Sequence, residues 1–94
     1  VLGEPIYNWQ EKNFLDIQST CEWNQEPKLT TGVLDAKPFE NLCWLINELH
    51  SSKSELNPGM IIITGSVFKV RQANVGDKIN HILSDHGKVS ITVI

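Results

Sequence analysis

The stretch "LNPGMIIITGSVFKVRQANVGD", Leu56 to Asp77, decides how the chain is read. Met60 to Ile63 is an apolar run with three β-branched isoleucines, which favour a pleated backbone. Pro58-Gly59 turns the chain into it, so the run predicts a strand over Met60 to Thr64. The strand stops at Thr64-Gly65-Ser66, two hydroxyls around a residue with no side chain. Such an end either turns with its hydroxyls bonded locally, or offers hydroxyl and N–H donors to an acidic ligand that can approach the glycine backbone. Val67, Phe68 and Val70 predict a further short strand, interrupted around Gln72 to Asn74, and Gly76-Asp77 turns again with Asp77 as its cap.

Downstream of that turn, Lys78 to Leu83 and Lys88 to Ile94 are β-favouring runs joined by Ser84-Asp85-His86-Gly87, whose glycine suits a left-handed position. They predict a C-terminal hairpin with Val89, Ile91 and Val93 on its apolar face. Upstream, Ile17, Ser19, Cys21 and Trp23 alternate with polar neighbours at the two-residue period of a strand. Asn24 to Pro27 reads as a turn, and Leu29 to Val33 as the returning strand. Pro38 opens a helix at its first position, where a missing N–H costs nothing. Phe39, Leu42, Cys43, Leu45, Ile46 and Leu49 recur at spacings of three and four on one face, Glu40, Asn41, Asn47 and Glu48 face away, and the helix ends near Ser51-Ser52. Residues 1–13 read as an irregular leading segment whose Tyr7 and Trp9 dock elsewhere. The predicted class is α+β, a β-rich mixed sheet with one amphipathic helix in a single domain spanning 1–94.

Composition narrows the function classes. The chain has 94 residues, a net charge of -3 and no run among its eight basic residues, so it carries no electrostatic footprint for nucleic acid. Its longest apolar run is too short to cross a bilayer, and no charged-then-apolar segment opens the chain. Cys21 and Cys43 could pair, but without metal-ligand spacing they read first as two buried thiols of a reduced, cytoplasmic protein. Val1 is not an initiator methionine and Met60 is the only methionine, which gives the expectation of a piece of a longer chain.

The ordered set of motifs is more specific than any one of them. A glycine (Gly32) precedes the helix, a proline (Pro38) and Trp44-Leu45 lie within it, and a leucine and Gly59 lead into the apolar strand. "TGS" ends that strand, and Gly76-Asp77 precedes a hairpin containing "GKVSI". From about Phe14 to Ile94 this resembles the C-terminal part of the 2-keto-4-pentenoate hydratase and 4-oxalocrotonate decarboxylase family, relatives of fumarylacetoacetate hydrolase. The resemblance implies a fumarylacetoacetase C-terminal-like fold. It also implies a role in a metal-dependent hydratase, or sister decarboxylase, acting on 2-hydroxy-dienoates or 2-oxo acids of aromatic-compound catabolism. Thr64, Gly65 and Ser66 would then lie at the substrate's carboxylate end. Homo-oligomers, or association with a preceding N-terminal part, are implied as well.

This sequence departs from the family pattern at three points. Lys37 stands where a histidine usually precedes the helix proline, Gly59-Met60 stands where the family has Gly-Asp, and Val75 replaces a proline before Gly76-Asp77. The family holds Mg²⁺ or Mn²⁺ with an acidic cluster in the part preceding this segment, and nothing here matches that cluster. The eleven acidic residues are dispersed and read as solvated surface, so no metal site is expected within this chain. His50 at a helix end, His81 in a strand and His86 in a turn each read as ordinary, and Lys37 as exposed. Trp44 and Leu45 read as packing between helix and sheet, and Trp9 and Trp23 as core or subunit contact. A rival reading keeps the fold without the catalysis: a remnant or separate domain serving in ligand binding or assembly.

Overall fold

Two hairpins make the sheet. In the computed structural model, which describes residues 1–94, β1 (Gln18–Trp23) pairs with β2 (Leu29–Gly32), and β3 (Lys78–Leu83) pairs with β4 (Lys88–Thr92). β1 also pairs with β3, giving one antiparallel sheet of order β2-β1-β3-β4. The long connection from β2 to β3 carries a helix, α1 (Pro38–Ser51), and then a stretch without regular structure. The fold is therefore α+β, one four-stranded antiparallel sheet and one helix. No helix is long and apolar enough to cross a membrane.

Strand alternation sorts the side chains by face. Ser19 is opposite Leu83, Cys21 opposite His81, and Trp23 opposite Ile79, which is in turn opposite Ile91. That face meets the rest of the chain. On the other face, Asn80 donates to Glu22 at 3.1 Å, Ser90 donates to Asn80 at 2.6 Å, and Lys28 pairs with Glu22 at 2.6 Å. These polar cross-strand contacts belong to a solvated surface.

The turns have local causes. Asn24 adopts φ +53, which its short amide side chain tolerates, and that amide bonds both Asp77 and the Lys78 N–H at 2.8 Å. In the β3–β4 turn Gly87 has positive φ, at +152, as the sequence pointed to, and Ser84 joins it at φ +42. The Ser84 hydroxyl accepts from the Gln18 N–H at 2.8 Å, so this turn is fastened to the start of β1.

Four expectations need correction. No strand forms over Met60–Thr64: all four strands have found partners among themselves, and this run lies outside the sheet. No strand forms over Val67–Val70 either, because the Ser66 hydroxyl accepts from the Phe68 N–H and donates to the Phe68 carbonyl, bending the chain there. Trp44 does not pack between helix and sheet; it is 64% exposed, and no residue of α1 is fully buried. Cys43 is exposed rather than buried, and both cysteines are free thiols.

The hydrophobic core is correspondingly small. Ile17 is the one fully buried apolar residue, with Ser19 buried beside it. Helix α1 half-buries Leu42, Leu45 and Leu49 along one line, while Phe39, Cys43 and Ile46 on the flanks of that face stay exposed. Phe39 does meet Phe14 edge to face, with ring centroids 5.0 Å apart.

Candidate functional site

Thr64-Gly65-Ser66 forms part of the rim of a cleft of about 680 Å³. Its lining also takes in Ser19 of β1, His81 and Leu83 of β3, and Pro38, Phe39 and Leu42 of α1. Most of the lining is apolar, from Phe14, Ile17, Val33 and Leu83 among others. A cleft of this size, mostly apolar with a few polar groups, matches the ordinary design of a small-molecule site.

The rim is held in place by the helix. Asn41 was expected to face away from the body of the chain; instead its side-chain amide donates to the Thr64 carbonyl at 2.8 Å and to the Ala36 carbonyl at 2.9 Å. One side chain thus ties the rim to the connection that enters α1. Gly65 sits at φ +117, a conformation that L side chains resist. A Cβ there would meet only the Asn41 amide nitrogen, at 3.8 Å, so backbone angle rather than crowding is what calls for glycine. The Ser66 hydroxyl is engaged with Phe68 in both directions, at 3.0 and 3.1 Å. A ligand carboxylate could accept a hydrogen bond from this hydroxyl only in place of the bond to the Phe68 carbonyl.

Ser19 and His81 line the same cleft. The Ser19 hydroxyl bonds the His81 Nε2, and the imidazole packs edge-on against Phe68 with centroids 5.7 Å apart. Ser19 is 3% exposed, so its hydroxyl depends on that partner. The pairing of β1 with β3 brings these residues together across 62 positions. Alternation put Ser19 on the inward face of its strand, but no spacing in the sequence announces a partner so far away. His50 and Lys37 do not line the cleft, whereas His86 does, from the β3–β4 turn.

The electrostatics of the lining differ from those of the whole chain. Its ionised side chains are Lys12 and Lys88 against Glu4, with His81 and His86 alongside, although the chain carries net charge -3. The first residues of α1 bring the positive end of a helix dipole to the same place, with no side chain capping it.

A second cluster fastens the Leu56–Asp77 connection beside Trp23, at the other end of β1. Arg71 lies over the Trp23 ring at 4.1 Å and forks onto the Glu26 carboxylate at 2.5 and 3.1 Å. That pairing holds the Glu26 carboxyl below its ordinary range and raises the Arg71 guanidinium. The Asp77 carboxylate, as expected of a turn cap, accepts from the Asn74 N–H at 2.9 Å and from the Asn24 amide at 2.8 Å, and these bonds lower its pKa. Glu22 is lowered by Lys28 and then Asn80. Glu22, Glu26 and Asp77 are thus paired groups rather than free surface charges.

No three His, Cys, Asp or Glu side chains gather where they could share a cation. The residues of this chain therefore do not fit the Mg²⁺ or Mn²⁺ that the family resemblance implies, since a hard ion needs several converging oxygen ligands. Comparison with protein-family models, with curated proteins and with solved structures finds no match.

Proposed function

We propose that this chain supplies the carboxylate-binding edge of a pocket for a small 2-oxo or 2-hydroxy acid, as part of a hydratase or sister decarboxylase of the kind the sequence resembles. The observation that carries this reading is the position of Thr64-Gly65-Ser66 on the rim of an apolar cleft whose lining is more basic than the chain as a whole. Glycine at residue 65 lets a carboxylate approach the backbone, and the flanking hydroxyls and N–H groups are donors. Apolar walls suit the hydrocarbon end of a dienoate. His81, held by Ser19, adds an imidazole to the same lining.

The lack of a cation-ligand set favours a second reading, in which the chain binds the acid or assembles with a partner without catalysing anything. One experiment tests both. The chain is titrated calorimetrically with 2-oxopentanoate, and 2-hydroxypenta-2,4-dienoate is followed by ultraviolet absorbance in the presence of Mg²⁺. The expected result is saturable binding of the oxo acid without consumption of the dienoate. No binding overturns the carboxylate-binding edge and leaves only the assembly role of the second reading. Turnover by the chain with Mg²⁺ overturns the assignment of the metal ligands to another part.

A further inference from the structure

The run Met60–Thr64, with three consecutive isoleucines, favours a pleated backbone, yet it has no ladder. It continues to Ser66 with no turn or bend. Apart from the Met60 N–H, which bonds Asn57 within the preceding turn, no backbone group of Met60 to Ile63 has a protein partner. Ile61 and Ile63 are 70% and 89% exposed. Unpaired N–H and C=O groups beside exposed isoleucines form an open strand edge, the kind of surface that pairs with another strand.

We infer that this edge is the two-fold contact between two copies of the chain, with Ile62 on the axis. Three observations commit the edge to a second copy. First, the run is symmetric about Ile62: Gly59 and Gly65, both at positive φ, bound it three residues away on either side. Glu55 and Lys69 are equidistant from Ile62, with no ionised residue between them, so antiparallel pairing opposes no like charges. Second, the Thr64 carbonyl is already bonded to Asn41, so the edge carrying the backbone groups of Ile62 and Thr64 faces α1, and that of Ile61 and Ile63 faces outward. Antiparallel pairing about Ile62 then uses the outward edge: Ile61 of each copy exchanges bonds with Ile63 of the other, and the two Ile62 residues form the non-hydrogen-bonded pair.

Third, the area fits. The accessible surface is 7781 Å², against about 5,500 Å² for a folded monomer of this mass. The radius of gyration is 15.4 Å against about 12 Å expected for this length. The excess of about 2,300 Å² is spread over the whole chain, and the exposed Ile61 and Ile63 are part of it, so there is surface to spare for the roughly 800 Å² per partner that a stable dimer covers. The sheet's own edges are weaker competitors. β2 has four residues and follows Pro27-Lys28, and β4 opens with Lys88, both features that discourage edge pairing. This contact rests on Met60–Thr64 alone and holds whatever ligand the cleft takes.

The test is sedimentation equilibrium over a concentration series, read with amide exchange. The expected result is a molecular weight rising from 10.6 kDa to twice that value, with the Ile61 and Ile63 amides exchanging at least tenfold more slowly in the dimer and the Ile62 amide unchanged. Ile63→Pro, which removes an N–H from the pairing edge, should hold the chain monomeric; Ile62→Pro, which removes one from the opposite edge, should still dimerise. A monomer throughout the series, protection confined to β2 or β4, or equal association of Ile63→Pro and the unaltered chain each overturns the inference.

Discussion

Gly65 and Ser66 show how much a residue's type can reveal and how much only its neighbours can. Two hydroxyls around a glycine mark a special backbone in the sequence, and Gly65 does adopt φ +117. Gly65→Ala should therefore lower stability by about 1–2 kcal/mol in a urea titration, because an L side chain strains there even though space is open. Ser66→Ala should weaken 2-oxopentanoate binding by about 1–3 kcal/mol, measured calorimetrically, since it removes a donor to a charged acceptor. Unchanged affinity would leave the hydroxyl with only its local bond to Phe68. Ser19 and His81 were legible singly, as members of alternating strands, but not as a pair. Their contact depends on which strands become neighbours, and hydrophobic pattern alone is silent on that.

Elements were most legible where a segment carries its own partner. Both hairpins and the helix bounds at Pro38 and Ser51 follow from turn residues and periodicity close in sequence. Met60–Thr64 was misread because its propensity is real but its ladder is not local; propensity without a neighbouring strand leaves an extended run and no sheet. Trp44 was misread for a related reason, since its helix position says which way it points but not whether anything lies there. The connection around Leu56–Asp77 is held instead by polar anchors, Asn41 at one end and the Arg71–Glu26 fork and Asp77 cap at the other. The Glu26 and Asp77 carboxyls are both lowered in the folded chain, so their contribution is fully present above the ordinary carboxylate range and is lost as pH falls through their lowered values. Thermal unfolding followed from neutral pH downward should show a falling melting temperature on the acid side, and Arg71→Ala should flatten that limb. An identical acid limb in the variant would assign the pH dependence to other groups.

At the scale of the whole molecule the chain has two fully buried residues and a sheet whose inner face is only partly covered. Such a chain should bind a hydrophobic dye more strongly than a compact domain of its size, and the dye signal should fall as concentration rises and copies cover one another. A flat signal would mean that the exposed isoleucines stay exposed. Dispersed acids that do not converge should bind Mg²⁺ or Mn²⁺ only weakly in calorimetry; stoichiometric micromolar binding would reveal a cation site that the fold assembles from these carboxylates.

Everything proposed for the cleft turns on whether it receives a carboxylate at Thr64-Gly65-Ser66. The direct measurement is a nitrogen-proton correlation titration of the labelled chain with 2-oxopentanoate, run beside the neutral ketone pentan-2-one. The account predicts saturable shifts of the Gly65, Ser66, Ser19 and His81 amides with the acid and much smaller ones with the ketone. Shifts that are absent, that fall elsewhere on the sheet, or that are the same for acid and ketone would contradict it.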